Sequence, residues 1–177
     1  KRGHVKNYEV FMNQVELLLA KCGELFPGIP RILYGHSMGG NIAINYAISR
    51  DPDAIALIAS SPWLKLVIPI SPIQKILIST LNSLLPKLST KWPKNPENLT
   101  HDPEIWAEVN EDPLNHGYVS ARLLSETIHH GLYALRHVYK INKPFLLMHG
   151  SGDKITSHKT SQEFVSNTSE RTQLKIW

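Results

Sequence analysis

A single cysteine, Cys22, stands among the 177 residues, so no disulfide can form within the chain and a packed core has to hold the fold. A lone thiol fits a reducing compartment, and its place on the apolar side of a helical pattern predicts a small buried hydrophobe. Long uninterrupted apolar runs are also missing. The richest segment, 71–88, is broken by Pro72, Lys75 and Pro86 and follows Pro69, which excludes a bilayer-spanning helix. Concentrated positive charge is absent: the formal net charge is only +4 and its lysines and arginines are scattered. Without a basic block or an aromatic–basic ladder, nucleic acid is excluded as an expected partner. No repeat, low-complexity tract or targeting segment stands out, so the expected location is cytoplasmic, with peripheral membrane contact as the one extension. A content of 42% hydrophobic and 19% charged residues describes a globular domain rather than a disordered chain.

What is present is an alternation. Residues 8–25 repeat Phe11, Val15, Leu18, Leu19 and Cys22 at helical spacing, and FPGIP then ends the helix. RILY (31–34) is a short apolar run before glycine and predicts a buried strand. From Asn41 to Arg50, Ile42, Ala43, Tyr46 and Ala47 share a helical face that closes at RDPD. AIALIAS (54–60), KPFLLMHG (143–150) and, more weakly, QLKIW (173–177) repeat the strand character. SHKTSQEFVSN, between the last two, predicts a helix with Ser157 as N-cap. Strand, helix, strand in succession predicts the α/β class, a parallel sheet covered by helices.

Residues 62–140 break that pattern, with most of the prolines and no clear strand. SPIQKILISTLNSLLPKL (71–88) predicts a helix with Ser71 as N-cap and Pro72 at its first position. Ile73, Ile76, Leu77, Leu81, Leu84 and Leu85 would line one side of it. A second helix, roughly Ala121 to Tyr139, aligns Leu124, Ile128, Leu132, Leu135 and Val138. The expected organisation is a sheet core in 1–61 and 141–177, interrupted by a helical insertion in 62–140.

The stretch LYGHSMGGNIAINYA (33–47) encloses Ser37 between the predicted strand and helix. GHSMG matches G-x-S-x-G, in which a tight strand-to-helix turn pushes a serine hydroxyl out of the sheet toward a base. Gly35 and Gly39 offer no side chain to collide in such a turn, and Gly40 lets the following helix approach. The Met38 N–H, at the start of that helix, is the candidate oxyanion donor, with the positive helix end behind it. His36 is read as a neighbour lining the site, because a residue adjacent in a strained turn cannot readily turn its ring onto Ser37.

GHSMGG, the later HGSGDKIT and the helical insertion between them resemble the monoacylglycerol lipase and lysophospholipase branch of the α/β-hydrolases, also known as serine aminopeptidase-like hydrolases. RGHV near the start and EDPLNHG (111–117) are similar to stretches of that family. The resemblance implies that Ser37 is the nucleophile, Asp153 the triad acid and residues 62–140 a lid over the active site. It implies a small lipid or ester substrate and neither cofactor nor metal. Position agrees for Asp153, which follows a strand at the carboxyl end, where such sheets gather functional groups. Asp112 is the fallback acid, and His149 is read as support for the acid loop.

The family order is Ser, Asp, His, and of the nine histidines only His158 follows Asp153. His158 lies near the start of a predicted helix, and His129 and His130 fall in the insertion, so none is the expected base. No H-G-x-G stretch precedes Ser37 to supply a second oxyanion donor, and RILY would form an apolar sheet edge. The expectation is a segment of a longer serine hydrolase, lacking leading strands and the catalytic histidine and inactive by itself. In the insertion, Trp63, Leu64, Leu66, Val67 and the Ile/Leu face of 73–85 suit an acyl chain or lipid interface. Lys65, Lys75, Lys87, Lys91 and Lys94 suit anionic headgroups. One alternative is an aminopeptidase holding its substrate amine with Glu104, Glu108, Glu111 or Asp112. The other is a non-catalytic hydrolase-fold protein that binds a lipid.

Overall fold

The computed structural model describes residues 2–92, 98, 100 and 102–177, apart from the side chains of 103, 106 and 110. Lys94 lies outside the described residues. The chain divides into two compact units, Tyr8–Val67 with Thr127–Trp177 and Lys1–Asn7 with Ile68–Glu126.

The larger unit is built on four parallel strands in the order β1-β2-β5-β6: β1 (Ile32–His36), β2 (Ala56–Ser60), β5 (Phe145–His149) and β6 (Thr172–Ile176). Helix α1 (Glu9–Leu25) packs on α2 (Met38–Arg50), which covers β1 and β2, and α6 (His158–Val165) covers β5 and β6. Alternating inward residues, Leu33, Leu57, Ala59, Phe145 and Leu147, meet Ile44, Ala47, Ala134, Val138 and Phe164 in one core. Leu64, Ala134 and Val138, within the stretch 62–140, belong to this core. β1 lies at the sheet edge, with Leu33 buried between exposed Ile32 and Tyr34. Tyr8 at the N-cap of α1 and Met12 and Leu19 within it turn inward, whereas Leu18 faces solvent and Cys22 is half-buried rather than enclosed. On α2 the expected face was too narrow, because Asn41 and Asn45 are 0% and 1% exposed.

The smaller unit contains α3 (Pro72–Leu84), α4 (Pro103–Glu111) and a ribbon of β3 (Ser89–Lys91) antiparallel to β4 (Tyr118–Ser120). The ribbon adds strands where the sequence showed none clearly, because they are too short for a period-2 pattern to show. Helix α5 (Ala121–His137) carries the division between the units. α3 opens on a full capping box, Ser71 Oγ accepting from Gln74 N–H and the Gln74 side chain accepting from Ser71 N–H. Its apolar residues do not share one environment. Ile78 and Leu81 face a cavity of about 90 Å³ lined also by Leu88, Trp92, Val119 and Leu124. Ile73, Ile76, Leu77 and Leu84 are 78%, 67%, 55% and 73% exposed.

Candidate active site

β1 ends at His36 and the chain turns into α2 through Ser37 alone. Ser37 adopts φ 51° and ψ −117°, a conformation that costs a residue with a side chain on the order of 1–3 kcal/mol. Three backbone hydrogen bonds hold it there. Its N–H donates to the Ser60 carbonyl at 2.9 Å, and its own carbonyl accepts from Asn41 N–H and Trp63 N–H, each at 3.0 Å. A Cβ on Gly35 would lie 2.3 Å from the Gly39 carbonyl oxygen, and one on Gly40 would lie 3.0 Å from Pro62 Cβ. Close approach requires glycine at 35, while at Gly40 a Cβ would make a contact tighter than side chains ordinarily tolerate. Gly39 is not required in this way: a Cβ there would meet nothing within 4 Å, so the crowding expected at this position is absent.

The first hydrogen bond of α2 runs from Asn41 N–H to the Ser37 carbonyl, which leaves Met38, Gly39 and Gly40 N–H with no acceptor inside the helix. Met38 N–H, the nearest to Ser37, therefore lies outside the helix hydrogen-bond ladder at its positive end. His36 Nδ1 lies 2.8 Å from Ser60 Oγ, so its ring is engaged on β2 rather than with Ser37.

Asp153 follows β5 on the turn GSGD, its N–H donating to the Gly150 carbonyl at 3.2 Å. Oδ1 accepts from Ile155 N–H at 2.7 Å and Thr156 N–H at 2.9 Å, and Oδ2 accepts from the Thr156 hydroxyl at 2.7 Å. Burial raises the carboxyl pKa, but the His149 and Thr156 side chains and the two amides together outweigh it and hold the group well below the usual carboxylate range. His149 is buried beneath this loop. Its Nε2 lies 3.2 Å from the Thr156 carbonyl and 3.3 Å from Asp153 Oδ2, groups that only accept, so Nε2 carries the hydrogen. Nδ1 sits 2.8 Å from Ser161 Oγ.

Because the strands are parallel, Ser37 after β1 and Asp153 after β5 stand at the same sheet end, with β2 between them. Two strand spacings put their backbones about 10 Å apart, and an imidazole with a hydrogen bond at each nitrogen spans about 7–8 Å. The end of β2 ties the two together, Ser61 N–H donating to the Met148 carbonyl and Trp63 N–H to that of Ser37. None of the described histidines hydrogen-bonds Ser37. His158 opens α6 with its ring 6.4 Å from that of His149, His130 stacks on Tyr8 at 3.5 Å, and His129 is exposed. Asp112, the fallback acid, is exposed and accepts from Leu114 N–H in a local turn. Among the described residues no three His, Cys, Asp or Glu side chains gather to hold a metal ion.

Sequence reasoning missed Asn41, Asn45, Thr156 and Ser161, which form the buried polar framework. The available signals were two asparagines at i and i+4 beside an apolar helix face, and a threonine three residues after Asp153.

A parallel sheet that presents a serine on a strained strand-to-helix turn, with a carboxylate two strands away, defines an α/β-hydrolase. Residues 1–177 match the family described as Serine aminopeptidase, S33, and the chain belongs to that family. It is 26% identical to the monoacylglycerol lipase of Mycolicibacterium smegmatis, the match covering 100% of this chain and 64% of the relative. It is 32% identical to the human monoglyceride lipase, over 88% of this chain and 52% of the relative. The crystal structure of Paleococcus ferrophilus monoacylglycerol lipase superposes with a TM-score of 0.89 at 27% identity, covering 100% of this chain and 67% of that one. The chain thus spans under two thirds of the length of these two curated relatives.

Proposed function

We propose that the protein hydrolyses carboxylic esters of monoacylglycerol or lysophospholipid type through an acyl-Ser37 intermediate. Ser37 attacks the ester carbonyl, a histidine base takes its proton, Asp153 orients that histidine, and Met38 N–H receives the developing oxyanion. The observation that carries this reading is the Ser37 turn itself, with φ 51° at the carboxyl end of β1 and a helix N-terminus directly behind it. Relatives named as monoacylglycerol lipases support the substrate class. The helical insertion is the acyl-recognising part, with the exposed face of α3 as its apolar surface. No Asp or Glu occurs from residue 54 to 96, a stretch holding Lys65, Lys75, Lys87, Lys91 and Lys94. Apolar surface in a stretch whose only charged side chains are lysines favours peripheral contact with anionic lipid. Among the described residues no helix is long and apolar enough to cross a membrane.

The family's description makes peptide hydrolysis the second reading. It needs an acidic pocket for the substrate amine, and Glu104, Glu108, Glu111 and Asp112 are exposed. Turnover of 1-monooleoylglycerol against alanine 4-nitroanilide by the full-length protein separates the two. Ester turnover that disappears in Ser37→Ala is expected; faster anilide cleavage would favour the peptidase. Deleting residues 66–88 should depress long-chain ester hydrolysis more than short-chain hydrolysis, and equal losses would count against acyl recognition by the insertion.

A further inference from the structure

We propose that Asn41 is a positioning residue for the reaction at Ser37, fixing the direction of the Met38 N–H. The inference rests on the reading of Ser37 as nucleophile. Asn41 is wholly buried on the first turn of α2, where a polar side chain is tolerated only when its hydrogen bonds are met. They are met on every side. Nδ2 donates to the Trp63 carbonyl at 2.7 Å and the Thr127 carbonyl at 3.3 Å; Oδ1 accepts from the Tyr8 hydroxyl at 2.5 Å and from Asn45 Nδ2 at 3.3 Å.

These contacts close a ring around one peptide group. Asn41 N–H and Trp63 N–H both donate to the Ser37 carbonyl, and the Asn41 side chain in turn holds Trp63 by its own carbonyl. The Ser37 carbonyl and the Met38 N–H belong to the same planar trans peptide, so fixing one fixes the other in the opposite direction. The Asn41 side chain therefore determines where the oxyanion donor points. Tyr8, on the entry to α1, and Thr127, on α5, brace it from two further elements. A donor aimed in advance acts on the transition state and not on substrate binding.

The test compares four variants of the full-length protein by steady-state hydrolysis of 4-nitrophenyl butyrate, by fluorophosphonate labelling rate and by melting temperature. Asn41→Ala is expected to lower kcat by about 10- to 100-fold, below the full loss of an oxyanion donor, with KM within about twofold and labelling slowed in parallel. Ile48→Ala, a packing change on the same helix, is expected to lower the melting temperature with kcat nearly unchanged. Should Asn41→Ala fail to fold, Tyr8→Phe removes one donor to Asn41 and is expected to lower kcat by about 3- to 10-fold, in line with one weakened hydrogen bond. Unchanged kcat in the variant that folds, with Ser37 labelled in the wild type, overturns the positioning role alone. Hydrolysis that survives Ser37→Ala overturns the nucleophile and this inference with it.

Discussion

Two helices of 13 residues each, α2 and α3, follow opposite rules. α2 buries eight residues, Asn41 and Asn45 among them, and α3 buries none despite its isoleucines and leucines. The difference lies in what each face meets. α2 is seated between the sheet, α1 and the carbonyls of Trp63, Thr127 and His130, which accept from the side-chain N–H groups of Asn41 and Asn45, although Asn45 Oδ1 is buried with no partner among the described residues. α3 turns only Ile78 and Leu81 toward the ribbon and leaves the rest of its apolar side open. On the function proposed above, the pair would separate two tasks: a buried helix held by its asparagine hydrogen bonds would keep the reacting groups still, and a helix with exposed apolar surface would accept a lipid.

That contrast can be broken at several strengths. Ser37→Ala should remove essentially all ester turnover, about 10⁴- to 10⁶-fold in kcat; residual activity within tenfold of wild type would move the chemistry elsewhere. Asp153→Asn should cost about 10⁴-fold, the loss expected when the base is misoriented. Its pH dependence has a definite sign. Because the folded carboxyl is held below its ordinary value, the stabilisation it brings is complete above about pH 5 and is lost progressively as pH falls through the unfolded and then the folded pKa. The melting-temperature gap between wild type and Asp153→Asn should stay level from neutral pH to about pH 5 and shrink below it; a gap that widens on acidification would contradict the assignment.

Smaller effects sharpen the same comparison. Gly35→Ala drives a Cβ against the Gly39 carbonyl and should destabilise by about 1–3 kcal/mol or more, seen as a lower urea midpoint and slower labelling. Gly39→Ala enters open space and should change stability by no more than about 1 kcal/mol. Smallest of all for folding, Ile73→Ser or Ile76→Ser on α3 should shift stability by at most about 0.5 kcal/mol. Either change should reduce retention on phosphatidylglycerol vesicles and lower long-chain turnover. Large destabilisation there would mean that α3 is a core helix.

Most of the fold was legible because its signals are local. RILY, AIALIAS, KPFLLMHG and QLKIW became β1, β2, β5 and β6, and Ser71, Pro72 and Ser157 cap the helices where the spacing put them. The turn at Ser37 was legible because glycine spacing encodes close approach directly. His149 was readable as support for the acid loop and does contact Asp153, whereas the Thr156 hydroxyl bond, the burial of Asn41 and Asn45 and the open space at Gly39 were less visible. A buried asparagine and a solvated one look alike in a helical repeat until the carbonyls facing them are known. The Ile/Leu face of 73–85 was readable as a stripe suited to an acyl chain or lipid interface, and Ile73, Ile76, Leu77 and Leu84 are exposed, although an apolar stripe ordinarily packs on a core.

Intact-mass and peptide mapping of the full-length protein after reaction with a fluorophosphonate addresses the nucleophilic turn most directly. One adduct per chain on the peptide containing Ser37, absent after Ser37→Ala and slowed by Asp153→Asn, is the predicted result. No adduct, or an adduct on another serine with Ser37 untouched, would contradict it.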